Sequence, residues 1–221
     1  MATRLYFMYS QVAPVAVAAA ASWNQSTYST PDGARSTSKT KVVTSGDDGM
    51  VACETPTNPW YRRWAQFVSH QYAAFSWLTS HTIKLQILCK EDTANLDAFL
   101  HVNIRVVSGD GGTVRGTLYD GTGDTELIVN TYTNRNLGGG AKNVQNEVSM
   151  VAGDRLAIEI GFKKTSADSG WDTCYFRWGD TYGTDLPEDQ THTSGAEPWV
   201  EFSPNLDDYG GGVNRRIMNV V

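Results

Sequence analysis

Apolar and polar residues alternate with a period of two along several stretches, and this pattern constrains the fold more than any other feature. It is clearest over residues 83–90, 100–106, 155–162 and 174–178. Successive side chains of a β-strand point to opposite faces, so each stretch predicts a strand with one buried and one wet face. The chain is therefore predicted to be built from sheets.

Glycine-rich turns separate these strands, because glycine readily adopts the positive φ angles that tight turns require. Such turns are predicted at residues 46–49, 108–112 and 152–154. Additional strands are predicted over residues 3–9, 61–69, 73–79, 125–132, 146–151 and 198–203. About ten short strands at this spacing predict an all-β fold, a two-sheet antiparallel β-sandwich. A jelly roll is favoured, and an immunoglobulin-like sandwich is the alternative.

The domain organisation predicted is one β-sandwich over residues 1–203, including an extended N-terminal segment, followed by a C-terminal arm over 204–221. Residues 24–40 are rich in Ser and Thr and contain Pro31-Asp32-Gly33, which predicts an exposed loop. The N-terminal apolar stretch is interrupted by Ser10, Gln11 and Pro14, so it is interpreted as part of the mature protein and not as a signal peptide.

The charge and composition of the chain limit the kinds of partner and environment that it suits. The net charge is −6 and the pI is about 5.2, a balance that repels a nucleic-acid backbone. No stretch is apolar for long enough to form a membrane-spanning helix. The three cysteines, Cys53, Cys89 and Cys174, lack the spacing of a disulfide framework. Cys89 and Cys174 occupy apolar phases of strands, so both are predicted to be buried thiols.

Catalytic and metal motifs are missing from the sequence. Its histidines lack metal-ligand spacing; they are His70, His81, His101 and His192. The acidic stretch 120–126 lacks the glycine and the distal glutamate of an EF-hand loop. Glu159 and Glu201 lie in predicted strands, but nothing marks them as the carboxylate pair of a glycosidase. We therefore predict no enzyme activity, no metal and no cofactor.

Aromatic residues offer a possible binding surface. The stretch Trp60-Tyr61-Arg62-Arg63-Trp64 alternates less regularly than the strands. Trp, Tyr and Arg are enriched at protein interfaces, and exposed aromatic rings can also stack on sugars. We predict Trp60, Tyr61 and Trp64 as partner-binding residues, with an exposed platform expected if the partner is a glycan.

Several longer motifs carry a resemblance to a known family. They lie at residues 1–7, 104–118, 153–161, 183–189 and 198–203. Together they resemble a family of small β-sandwich proteins of tailed bacteriophages, over nearly all of residues 1–203. The resemblance implies a virion structural protein, such as a head decoration protein or a neck or tail component. It supplies no catalytic residues, and residues 204–221 depart from the family pattern.

The resemblance also implies partners and location. The chain would be made in the bacterial cytoplasm, join the virion, and contact capsid or tail proteins and copies of itself. The expected contact elements are the N-terminal segment 1–23 and the tail 204–221. They contribute the candidate residues Arg4, Tyr6, Arg215, Arg216 and Ile217. The alternative function is a carbohydrate- or receptor-binding sandwich.

Overall fold

The computed structural model describes residues 1–24, 34–41, 47–53, 60–94, 96–166, 172–178, 184–189 and 196–210. Within these ranges the chain forms β-strands and no helix, so the all-β prediction is confirmed. No described helix could span a membrane. The strands are β1 Thr3–Val12, β2 Arg35–Ser38, β3 Asp47–Cys53, β4 Trp60–Val68, β5 Phe75–Trp77, β6 Thr82–Glu91, β7 Ala98–Val107, β8 Val114–Glu126, β9 Thr133–Arg135, β10 Lys142–Asn143, β11 Val148–Met150, β12 Arg155–Lys164, β13 Asp172–Trp178 and β14 Trp199–Phe202.

Most strands belong to one strongly curved sheet. Twelve strands are connected by hydrogen bonds, ten of them in the order β3-β13-β6-β14-β1-β2-β4-β12-β7-β8, while β9 and β10 pair with β6. The two halves of β6 pair with different strands: Ile83–Gln86 pairs with β14, and Leu88–Glu91 pairs with β13. The remaining two strands, β5 and β11, form a small separate ladder. This order does not confirm the two-sheet jelly roll, which stays a prediction.

The core lies inside the curved sheet. Trp64 of β4 stacks on Phe176 of β13 with ring centroids 4.7 Å apart, although these strands are distant in the strand order. The sheet therefore curls until its two halves face each other. Cys89 and Cys174 are both buried free thiols in this core, as their strand phases predicted.

Four local predictions differ from the structure, and the first is the strand predicted over 125–132, because β8 ends at Glu126. The loop predicted over 24–40 includes the strand β2, which pairs with β1 and, in parallel, with β4. The turn predicted at 46–49 overlaps the first residues of β3. The acidic stretch 120–126, interpreted as a loop, lies inside β8, whose pairing with β7 contains register shifts. Its glycines accommodate close approaches: a β-carbon at Gly123 would lie 2.9 Å from the carbonyl oxygen of Asn136.

Candidate interaction surface

Arg4 and Tyr6, two candidate partner-binding residues, lie on the outer face of β1 and contact the segment 184–189. The Arg4 guanidinium lies 2.6 Å from Asp185 and 2.8 Å from Glu201, and it stacks 3.8 Å from the ring centroid of Trp199. The Tyr6 hydroxyl donates to Asp185 at 3.2 Å. Both side chains therefore contact residues of their own chain.

This ion network holds the segment 184–189 against the sheet. Burial raises the pKa of Asp185, but hydrogen bonds from Lys41 and Arg4 outweigh it, so the pKa lies below its ordinary value. Beneath the network, Trp199 Nε1 donates to the Leu186 carbonyl oxygen at 2.8 Å. The network therefore covers a small apolar cluster on the outside of the sheet.

The predicted aromatic platform is not formed. Trp60 and Trp64 are 8% and 4% exposed and belong to the core, whereas Tyr61 is half-buried. The reason is a register shift between β4 and β12: Ile160 pairs with Ala65 and Gly161 pairs with Arg63, which leaves Trp64 as an extra residue. The irregular spacing that suggested a surface patch is the signature of this bulge.

A buried carboxylate lies on the opposite, outer face of β12. Glu159 is 0% exposed, because residues 13–24, here called the strap, cross over it. Its two oxygens accept hydrogen bonds or ion pairs from Ala20 N at 3.0 Å, Trp23 Nε1 at 2.9 Å, Arg63 at 2.7 Å, Gln66 at 2.8 Å and Arg105 at 3.0 Å. Glu159 therefore fastens the strap to the sheet.

His101 and Asp120 lie near the far end of the strap. The imidazole lies 3.0 Å from Asp120 and 2.9 Å from the Thr122 hydroxyl, and packs against the rings of Trp23 and Tyr61. Burial raises the pKa of Asp120, but the contact with the His101 imidazole outweighs this effect and lowers the pKa overall. Because His101 is only 4% exposed, this arrangement is suited to holding the strap.

Several turns meet at one end of the sheet, here called the loop end: residues 12–16, 69–72, 108–114, 151–155 and 205–210. Arg155 joins two of them by donating to the carbonyl oxygens of Gly109 and Ser69, each at 2.9 Å. Tyr209 N donates to the Gln71 carbonyl oxygen at 3.0 Å. A β-carbon at Gly111 would lie 2.3 Å from the Ala16 carbonyl oxygen, which shows how closely the strap approaches.

The loop end carries most of the large apolar side chains that are exposed. Seven such side chains occur among the described residues, and four are in loop-end segments: Val12 at 75%, Val114 at 47%, Val151 at 49% and Tyr209 at 55% exposure. An open cleft of about 900 Å³ lies beside residues 205–210. Exposed apolar side chains gathered in one region are typical of a surface that contacts a partner.

Part of the predicted C-terminal arm is packed on the body of the fold. Leu206 N donates to the Thr3 hydroxyl at 2.7 Å, and Ala73 N donates to the Asp207 carbonyl oxygen at 2.8 Å. The carboxylate of Asp208 pairs with Lys39 at 2.6 Å. The candidate residues Arg215, Arg216 and Ile217 lie outside the described residues.

Metal-ligating side chains do not form a cluster in the described part of the chain. No cluster of three or more His, Cys, Asp or Glu side chains suited to a metal ion occurs there. The loop end and the Glu159 cluster were not predicted as units from the sequence. The only signal for Glu159 in the sequence was that a charged residue occupies this position between the apolar residues Ile158 and Ile160.

Comparisons with known proteins bear on the fold alone. No protein-family model and no curated protein matches the chain. A CocE/NonD family hydrolase from Staphylococcus aureus superposes with a TM-score of 0.51 and 9% identity, over 93% of this chain and 36% of that chain. An infectious bursal disease virus VP2 subviral particle reaches a TM-score of 0.33 at 11% identity, over 73% of this chain and 40% of that chain. The chain thus spans about a third of the hydrolase, and identity this low carries over no activity.

Proposed function

We propose that the chain is a non-enzymatic structural protein of a bacteriophage particle that acts through protein–protein contacts at its loop end. It would serve in head decoration or in the neck or tail, after synthesis in the bacterial cytoplasm. The observation that carries this proposal is the gathering of Val12, Val114, Val151 and Tyr209 at one tightly braced end. The motifs that resemble phage proteins supply the virion setting.

The loop end suits a docking surface for two physical reasons. Its exposed apolar side chains gain free energy when a partner removes them from water, at about 25 cal/mol per Å². Its turns are tied together by Arg155 and by backbone hydrogen bonds, so little conformational entropy is lost on binding. The exposed carboxylates of Asp110 and Asp207 add a polar rim that would favour a basic partner surface.

The first experiment is mass spectrometry of purified virions, with the copy number scaled to the major capsid protein. A count on the order of hundreds supports head decoration or a major tail role, because symmetric shells repeat their components. A count near a dozen supports a neck or tail-tip role. Absence from the particle would overturn the virion proposal.

A pair of variants tests the surface itself. Val151→Asp introduces a charge at the loop end, whereas Ile128→Asp introduces the same charge at an equally exposed site elsewhere, since the two side chains are 49% and 43% exposed. We expect Val151→Asp to reduce incorporation into particles while Ile128→Asp leaves it unchanged. Equal incorporation of both variants would remove the loop end from the proposal, even if the protein is present in virions.

A further inference from the structure

Lys90, on the outer face of β6, lies between two tyrosines that belong to the neighbouring segments on either side. Tyr175 pairs with Lys90 in the register of β13 with β6. On the other side, Cys89 pairs with Thr133, so continuing the antiparallel register brings Tyr132 beside Lys90. The Lys90 ammonium lies 4.7 Å from both tyrosine ring centroids. All three side chains keep partial exposure to solvent.

These three side chains face away from the core. Cys89, Cys174 and Phe176 are buried in the core, and residues adjacent to them along a strand point to the opposite side. Arg177 therefore shares the outer face with Tyr175, and its guanidinium lies 4.7 Å from the Tyr132 ring centroid. Two cations thus approach the same tyrosine ring from neighbouring strands.

Lys90 has no ion-pair partner among the residues that the structure describes, in contrast to Lys84, which pairs with Glu188 at 2.7 Å. The two rings hold the ammonium in place through cation–π contacts. An ammonium already held in position loses less side-chain entropy when it binds an anion. Lys90 lies between the two rings, so the ligand charge is assigned to it.

We propose that this face binds an acidic carbohydrate. The sugar carboxylate would pair with Lys90, and the sugar ring would pack against the solvent-exposed part of Tyr175. Tyr175 suits this role because tyrosine presents a flat apolar body with a polar hydroxyl. Tyr132 also packs against the apolar cluster beneath the segment 184–189, which fixes one wall of the site. The site lies on a different face from the loop end, so it does not depend on the virion proposal.

The test is isothermal titration of the full chain with two acidic probes and their neutral counterparts: 3′-sialyllactose against lactose, and trigalacturonate against a neutral galactose trisaccharide. Lys90→Gln removes the charge, and Lys90→Arg retains it. Lys163→Gln is the matched control, because Lys163 stacks on Tyr61 elsewhere, with its ammonium 5.8 Å from the ring centroid.

We expect saturable binding of at least one acidic probe and none of its neutral counterpart. Lys90→Gln should weaken binding about tenfold, the effect of one charge-assisted hydrogen bond, while Lys90→Arg and Lys163→Gln retain it. The proposal is overturned if neither acidic probe binds, if a neutral sugar binds equally well, or if Lys90→Gln binds as tightly as Lys163→Gln.

Discussion

Arg105 and Glu159 form a buried ion pair, 3.0 Å apart, on neighbouring strands beneath the strap. Arg105 also donates to the Ala18 carbonyl oxygen at 2.8 Å, so the same guanidinium contacts both the sheet and the strap. Burial lowers the pKa of Arg105, which the opposing charge of Glu159 only partly offsets. The attachment of the N-terminal segment therefore depends on one compensated charge cluster.

Removing the carboxylate of Glu159 should be strongly destabilising. Glu159→Gln leaves the guanidinium groups of Arg63 and Arg105 buried without their counter-charge, and breaking a buried pair typically costs about 3–5 kcal/mol. Urea unfolding followed by circular dichroism measures the loss. Glu201→Gln is the control, because that carboxylate is 20% exposed and should lose only about 1 kcal/mol. Equal losses would show that burial does not set the contribution of Glu159.

A substitution at Gly161 tests how closely the strap packs on the sheet. A β-carbon there would lie 2.0 Å from the Arg62 carbonyl oxygen and 2.8 Å from Trp23 Cζ3. Gly161→Ala should therefore lower the free energy of unfolding by about 3 kcal/mol and shift the Trp23 fluorescence. Gly112→Ala meets nothing nearer than 3.5 Å, so its effect should stay within about 0.5 kcal/mol. A benign Gly161→Ala would contradict this packing.

The sequence identified strands far better than it identified what covers them. Alternation predicted β6, β7, β12 and β13, because one face of each packs in the core and a local period of two records that fact. The same alternation placed Glu159 on a wet face. It lies on that face but is buried beneath the strap. The strap is remote in sequence, so its path leaves no trace in the pattern of β12.

Pairing between distant segments also explains why the sequence did not predict the burial of Trp64, the strand β2 or the loop end. The core position of Trp64 depends on a one-residue bulge against β12, and a bulge disrupts the alternation that would have revealed burial. Strand β2 is four residues long and polar, so its sequence resembles a loop until β1 and β4 supply its partners. The loop end is likewise assembled from turns scattered through the chain.

Cys89 and Cys174 should resist labelling in the folded protein. Burial raises the pKa of the Cys89 thiol to about 12, and Cys174 is equally inaccessible. Since the thiolate is the reactive form, iodoacetamide should modify neither residue until the chain is unfolded in urea. Peptide mapping locates the label. Rapid modification of Cys89 under native conditions would show that the core around it opens.

Stability should fall as the pH rises through neutrality because of Glu91. Burial raises the pKa of this carboxyl to about 7, against the weaker effect of a hydrogen bond from Ala98 N, and Oε1 has no hydrogen-bond partner among the described residues. The folded state therefore holds a proton that the unfolded chain releases near pH 4.5. The stabilisation is full below that pH and is lost as the pH rises past 7.

Glu91→Gln should remove this dependence, because the amide mimics the neutral acid. We expect the variant to match the wild type near pH 4.5 and to exceed its stability by about 1–2 kcal/mol at pH 8.5. Urea unfolding at both pH values measures the difference. Glu147→Gln, at an exposed position just before β11, should retain the wild-type slope. A Glu91→Gln curve parallel to that of the wild type would mean that Glu91 is ionised in the folded protein at neutral pH.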